Sequence, residues 1–165
     1  MSRGFVKEDD QEEAPFIPPR AALPAGVTNY VTPLGLKLLQ QEKKSLEEER
    51  AEVDAMNEVE SRRLKSVIDG KIKLLNERLT TARVLDPASQ TPDQVRFGAK
   101  VKIKDNTGKV QEFQIVGVDE ADVKKQKIAF IAPIARAVTG KKVGEIADFK
   151  MGDETRNLQI LEITY

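Results

Sequence analysis

Two short segments carry side chains whose type and spacing could do chemistry. Asp119-Glu120-Ala121-Asp122 presents three carboxylates within four residues, and Gly140-Lys141-Lys142 resembles the end of a phosphate-binding loop. The second segment lacks the upstream glycine at the required interval and the Ser or Thr after the lysine, so it predicts no nucleotide site. The acidic segment matches a helicase motif by its letters, but a helicase needs a phosphate-binding loop and a far longer chain. We interpret it as an acidic surface loop, either simply solvated or used in binding.

Composition excludes several classes of site. The 165 residues include no cysteine and no histidine, which excludes disulfides, thiolate nucleophiles, Cys/His zinc sites and histidine acid–base catalysis. We therefore predict no metal site. Lys plus Arg and Asp plus Glu both number 27, so no overall field attracts nucleic acid, and a partner must recognise local patches. The charged N-terminus lacks the apolar run of a secretory signal, which predicts a cytoplasmic location.

The first half of the chain predicts an arm followed by a helical hairpin. Residues 1–30 combine an acidic cluster with four prolines, which is typical of a disordered or extended arm. Thr32 suits a helix N-cap and Pro33 the first helical position. Apolar residues then recur at coiled-coil spacing, at positions 39, 46 and 53 and again at 64, 68, 72, 75, 79 and 82. We predict an antiparallel hairpin over residues 31–84 that turns near residues 54–60, with a single long helix as the alternative.

The second half changes to an alternating pattern. Residues 85–94 contain two prolines and are predicted to be a linker. Val101 and Ile103 then alternate with lysines, and residues 105–108 have the composition of a hairpin turn. Further strands are predicted at 127–131, 143–149 and 157–165, with a short helix at 134–138. The chain is therefore α+β, with an antiparallel sheet and a short helix in residues 95–165.

Several segments of this second half also resemble a known family. RFGAKVKI, EFQIVGVDEAD, IAPIARAVTGKKVGE and LQILEITY occur in the same order and at similar spacing in the C-terminal domain of the Gre transcript cleavage factors. A weaker likeness covers VTPLGLKLLQQEKKSLEEER and GKIKLLNERLTTARVLDP in the hairpin. The resemblance implies an FKBP-like fold without prolyl isomerase activity, docked on the rim of the secondary channel of bacterial RNA polymerase. It also implies an accessory factor to the polymerase with no active site of its own. It assigns the docking surface to Asp119, Glu120, Asp122, Pro133, Ile134 and Arg136.

The chain departs from the Gre pattern at the part that carries the family's activity. Gre factors insert a coiled-coil finger whose acidic tip, G-D-L-x-E-N, helps to hold the second Mg²⁺ of the polymerase active centre. This sequence has no such motif, and its arms are shorter than the family's by several helical turns of about 5.4 Å each. Asp54, Glu58 and Glu60 are the candidate substitute tip acids, together with Glu52. We expect them to be solvated helix acids, since a shorter finger leaves them far from the metal.

These observations predict a regulator that binds bacterial RNA polymerase at the secondary channel without strong stimulation of transcript cleavage. An active cleavage factor using Asp54 and Glu58 is one alternative, and only then would a metal be involved, namely the Mg²⁺ held by the polymerase. An FKBP-like protein-interaction module is the other. We expect no cofactor, a monomer and no membrane association. We expect nucleic acid contact only within the transcription complex, because alternating lysines on a strand usually form its solvent-exposed face.

Overall fold

The computed structural model describes residues 14–56 and 58–165. Its first unit is a helical hairpin made of α1, Pro33–Val53, and α2, Glu58–Thr81. Two short parallel strands, β1 at Tyr30–Val31 and β2 at Arg83–Val84, close its base. The predicted hairpin is confirmed, and the single long helix is excluded because α1 ends at Val53. Helices of 21 and 24 residues extend about 30–36 Å at 1.5 Å per residue.

Local signals explain where the hairpin starts and which side it buries. Thr32 is extended, and its hydroxyl accepts a hydrogen bond from the backbone N–H of Gly35 at 2.9 Å, so it caps α1 as predicted. The heptad positions form the seam between the helices. Its buried members are Leu39, Leu46, Val53, Ile68 and Leu75, and Val31 of β1 packs with them at the base of the hairpin. Leu64, the first predicted seam residue of α2, is instead 43% exposed.

The second unit is a five-stranded sheet in the order β5-β4-β3-β7-β6. Its strands are β3 Lys100–Lys104, β4 Val110–Val116, β5 Lys127–Ala129, β6 Ile146–Met151 and β7 Glu154–Thr164. The α+β class is confirmed, but the sheet is mixed rather than wholly antiparallel, because β5 runs parallel to β4. Residues 117–126 form a crossover that carries the chain back before β5 starts, which a hairpin turn cannot do.

The sheet packs its apolar face around one core. Val101, Ile103, Phe113, Ile115 and Ile160 are at most 2% exposed, and α3, Pro133–Val138, packs with them. The short helix predicted at 134–138 is thereby confirmed. Its N-cap position is Ala132, which offers no side-chain hydrogen bond. No helix in residues 14–56 and 58–165 is both long and apolar enough to cross a membrane.

The two units are joined by packing as well as by the chain. Tyr30 of β1, Phe97 and Phe130 form an aromatic trio with ring centroids 5.6–5.9 Å apart, a separation typical of favourable edge-to-face pairs. Of the arm predicted over residues 1–30, residues 14–29 contain no helix or strand and contact the hairpin, and Tyr30 belongs to β1. The acidic cluster of the arm lies outside the described residues. The hairpin is therefore anchored at its base to the sheet unit.

Candidate functional site

The acidic segment follows β4 directly, and its first carboxylate points into the molecule. The Asp119 side chain is only 7% exposed. Its Oδ1 accepts a hydrogen bond from Nε of Arg20 at 3.0 Å, and its Oδ2 lies 3.7 Å from Nη1 of Arg78 on α2. Asp119 thus connects the sheet unit to both the arm and the hairpin.

Glu120 is buried more deeply and contacts the base of the hairpin. Its side chain is 3% exposed. One carboxylate oxygen accepts a hydrogen bond from the hydroxyl of Thr32, and the other lies 3.1 Å from Nζ of Lys127 on β5. Because Thr32 also caps α1, the carboxylate of Glu120 is tied to the first turn of that helix. We call the Thr32–Glu120–Lys127 cluster the clasp.

Asp122 is the most accessible of the three acids. It is half-buried, and its Oδ1 accepts a hydrogen bond from the backbone N–H of Lys124 at 3.1 Å, which caps the 3₁₀ turn Val123–Lys125. Its own backbone pairs with that of Lys127. Only one of the three predicted docking acids is therefore placed where a partner protein can reach it without rearrangement.

The other predicted docking residues lie on and around α3. Pro133 is the first residue of this helix and is exposed, as is Arg136 in its last turn. Ile134 is half-buried and packs against the sheet core. The backbone N–H of Phe130 donates to the carbonyl oxygen of Val116 at 2.9 Å. The acidic segment and the α3 segment therefore start from neighbouring points at one end of the sheet.

The predicted tip acids differ in their surroundings. Asp54 follows α1, and its carboxylate forms an ion pair with Lys65 of α2 and lies 4.0 Å from Nη1 of Arg50. Arg50 in turn donates from Nε to Asp69 at 2.7 Å. The hydrogen bond from Lys65 holds the pKa of Asp54 below its ordinary value. Asp54 is therefore engaged in an ion network between the helices.

Glu58 and Glu60 occupy the first turn of α2 and are exposed. Carboxylates at this position interact favourably with the helix dipole. The residue before Glu58 lies outside the described part of the chain. Within the described residues, no group of three or more acidic side chains could hold a metal ion.

Comparison with known proteins identifies the family. The family model for the C-terminal domain of the transcription elongation factors GreA and GreB matches residues 89–165. Transcription elongation factor GreA of Thermodesulfovibrio yellowstonii is 39% identical over 126 residues, which cover 74% of this chain and 80% of that protein. The chain belongs to the GreA/GreB family. GreA of Hyphomonas neptunium is also 39% identical, over 71% of this chain and 72% of that one.

Solved structures in this family are more distant. GreA factor homolog 1 of Thermus thermophilus is 20% identical over 84% of this chain and 100% of its own, with a TM-score of 0.40. GreA/GreB from Nitrosomonas europaea gives 20% identity and a TM-score of 0.41, over 82% of this chain and 98% of its own.

The sequence did not reveal the partners of the acids in this GreA/GreB-family chain. Arg20, Thr32, Arg78 and Lys127 were not predicted as site residues, although they surround Asp119 and Glu120. One signal was available, the glycine in the first turn of α1. A Cβ added at Gly35 would lie 2.6 Å from Oε1 of Glu120, so this glycine leaves room for the clasp.

Proposed function

We propose that this GreA/GreB-family chain binds bacterial RNA polymerase at the rim of the secondary channel, with the helical hairpin directed into the channel. The match of residues 89–165 to the GreA/GreB C-terminal domain carries this proposal, because that segment contains all six predicted docking residues. The polymerase-facing part of the surface is Asp122, Pro133 and Arg136, which are exposed or half-buried. Exposed arginines are frequent anchors at protein interfaces.

The factor acts without an active site of its own and without strong stimulation of transcript cleavage. Support comes from the hairpin turn, where the carboxylate of Asp54 forms ion pairs with Lys65 and Arg50. A carboxylate paired in this way has less capacity to hold a second Mg²⁺, which prefers several oxygen ligands in near-octahedral geometry. Glu58 and Glu60 remain, but two exposed acids on one helical turn make a sparse substitute for an acidic tip.

The second candidate function is a cleavage-stimulating factor. The exposure of Glu58 and Glu60 beside the turn favours it, since these carboxylates are the ones that a metal held by the polymerase could recruit. In that case Asp54 would have to leave Lys65 to join them.

Two assays with the cognate polymerase test the proposal. The first measures binding of the full chain to the polymerase, with Arg136→Ala as the docking variant and Arg156→Ala on β7 as the matched control. We expect Arg136→Ala to weaken binding about tenfold, roughly 1.4 kcal/mol, and Arg156→Ala to bind like the unchanged protein. Absence of binding by the unchanged protein would refute the polymerase hypothesis and favour an interaction module for other proteins.

The second assay measures RNA cleavage in a backtracked elongation complex at saturating protein. We expect a rate close to that of the polymerase alone. Rapid cleavage that is lost in Glu58→Ala, Glu60→Ala or Asp54→Ala would instead establish the cleavage-stimulating function. Displacement of a genuine cleavage factor without cleavage would support a regulator that occupies the channel.

A further inference from the structure

The described part of the N-terminal arm lies along the hairpin, contacts the sheet unit at Asp119 and continues into β1. Arg78 of α2 donates a hydrogen bond to the carbonyl oxygen of Ala21, and the side-chain amide of Asn29 donates to the carbonyl oxygen of Arg78 at 3.0 Å. The arm is thus held by polar contacts with the second helix, near the position where Asp119 reaches the same arginine.

Arg20 makes the central contact of the arm. Its Nη1 and Nη2 donate to the two carboxylate oxygens of Glu42 on α1 at 2.7 and 3.0 Å, while its Nε donates to Asp119 at 3.0 Å. The forked geometry of a guanidinium matches a carboxylate in two parallel hydrogen bonds, which makes such pairs stronger than neutral ones. Arg20 fills the notch between Glu42 and Asp119, and its side chain is only 17% exposed.

The hairpin carries a second feature that accommodates the arm. Gly70 lies in the interior of α2, where glycine is less favourable than alanine. A Cβ added at Gly70 would lie 2.1 Å from Cδ1 of Ile17. Ile17 lies three residues before Arg20 in the arm. The helix therefore has a glycine at the point where this part of the arm packs against it.

We propose that the notch between Glu42 and Asp119 is a binding site for guanidinium groups that serves two occupants in turn. In the free protein Arg20 fills it and the arm covers Asp119. On docking, an arginine-bearing segment of the polymerase takes the place of Arg20, and the arm is released. The arm is thereby a competitor built into the chain. This inference rests on the proposed docking of the acidic segment on the polymerase.

Arm release is tested without polymerase by a spin label. The chain has no cysteine, so Phe16→Cys, at a position 78% exposed, gives a single nitroxide site on the arm. We expect an immobilised spectrum in the otherwise unchanged chain and a mobile one in both Arg20→Gln and Gly70→Ala. Arg156→Gln on β7 is the control and should leave the spectrum unchanged. An immobile label in Arg20→Gln and Gly70→Ala would overturn the proposal.

Competition is tested by the affinity of the same full-length variants for the polymerase. For a protein that binds only in its open form, the apparent Kd equals the intrinsic Kd divided by the fraction that is open. We expect Arg20→Gln and Gly70→Ala to bind about five- to tenfold more tightly, about 1–1.4 kcal/mol, and Asp119→Asn to bind more weakly. A mobile label with unchanged or weaker binding would overturn the competition.

The two readouts separate this inference from the proposed function. If the unchanged chain and the released variants all fail to bind the polymerase, the proposed function fails, and the exchange of occupants fails with it. The label experiment then still reports whether Arg20 holds the arm. If the unchanged chain binds and only the arm variants behave otherwise than expected, the proposed function stands and the inference alone is wrong.

Discussion

The clasp makes a quantitative prediction for Glu120→Ala. This substitution removes the acceptor of the buried Thr32 hydroxyl and the partner of Nζ of Lys127. A hydrogen bond to a charged group contributes about 1.5–3 kcal/mol. The pairing with Lys127 adds less, since that side chain is 19% exposed and water replaces part of the interaction. We expect a loss of about 2–3 kcal/mol in the free energy of unfolding, and a Tm lower by about 5–10 °C at this chain length.

Thermal and urea unfolding followed by circular dichroism measure this loss. Glu120→Gln keeps an acceptor oxygen for Thr32 and loses only the charge, so its loss should be about 1 kcal/mol. Glu112→Ala, at an exposed glutamate of β4, should stay within about 0.5 kcal/mol of the unchanged protein. A Glu120→Ala protein as stable as the Glu112→Ala control would refute our assignment of the clasp.

A double-mutant cycle with Thr32→Val tests whether the two residues act together. Thr32 caps α1 through the same hydroxyl that donates to Glu120. The double variant should therefore lose clearly less free energy of unfolding than the sum of the losses in the two single variants, with a coupling energy of about 0.5–3 kcal/mol. Additive losses would show that the contact between Thr32 and Glu120 contributes nothing to stability.

Three other predictions follow from named contacts. Gly35→Ala should lower the free energy of unfolding in urea by about 1–3 kcal/mol, because its Cβ would lie 2.6 Å from Glu120 Oε1. Alanine favours a helix, so a gain in stability would contradict this contact. Asp54→Asn should lower the Tm at pH 7, because a carboxyl group with a lowered pKa stabilises the fold above its ordinary pKa of 3.8. That stabilisation is lost as the pH falls through the lowered pKa, so the Tm difference from the unchanged protein should close in acid; a constant difference would contradict the ion pair. Leu75→Ala, in the fully buried seam, should cost about 2–5 kcal/mol in urea unfolding, against less than about 1 kcal/mol for Leu38→Ala at an exposed site.

The sequence predicted those parts of the fold that depend on local patterns. The heptad spacing identified Leu39, Leu46 and Leu75 as buried, since a helical stripe is set by neighbours three and four residues away. Thr32 and Pro33 likewise marked the start of α1. The direction of β5 was not predicted, because it depends on the path of residues 117–126 rather than on the strand's own residues. Leu64 was wrongly placed in the seam, as the pattern alone does not show which seam positions are covered.

The candidate site was less accessible to prediction for the same reason. The acids of the segment 119–122 were identified by their letters and their likeness to the Gre factors. Their surroundings were not, since Arg20 is 99 residues from Asp119 and Thr32 is 88 residues from Glu120. Nothing in a local pattern of charges distinguishes an acid that will be paired inside the fold from one that will face a partner. Gly35 beside Glu120 and Gly70 beside the arm were marks of close approach that the sequence offered near these contacts.

The contact between the acidic segment and the cap of α1 would couple the proposed docking to the direction of the hairpin. Glu120 contacts the residue that caps α1, so a shift of the segment on a partner surface acts at the base of a helix of 21 residues. A tilt of about 10° at that base moves the far end of a helix about 30 Å long by about 5 Å. We therefore expect substitutions at Asp119 or Glu120 to change both the proposed docking surface and the position of the hairpin turn. Arg136 is exposed on α3 and lies outside the clasp, so we expect Arg136→Ala to weaken the proposed docking while the direction of the hairpin is preserved.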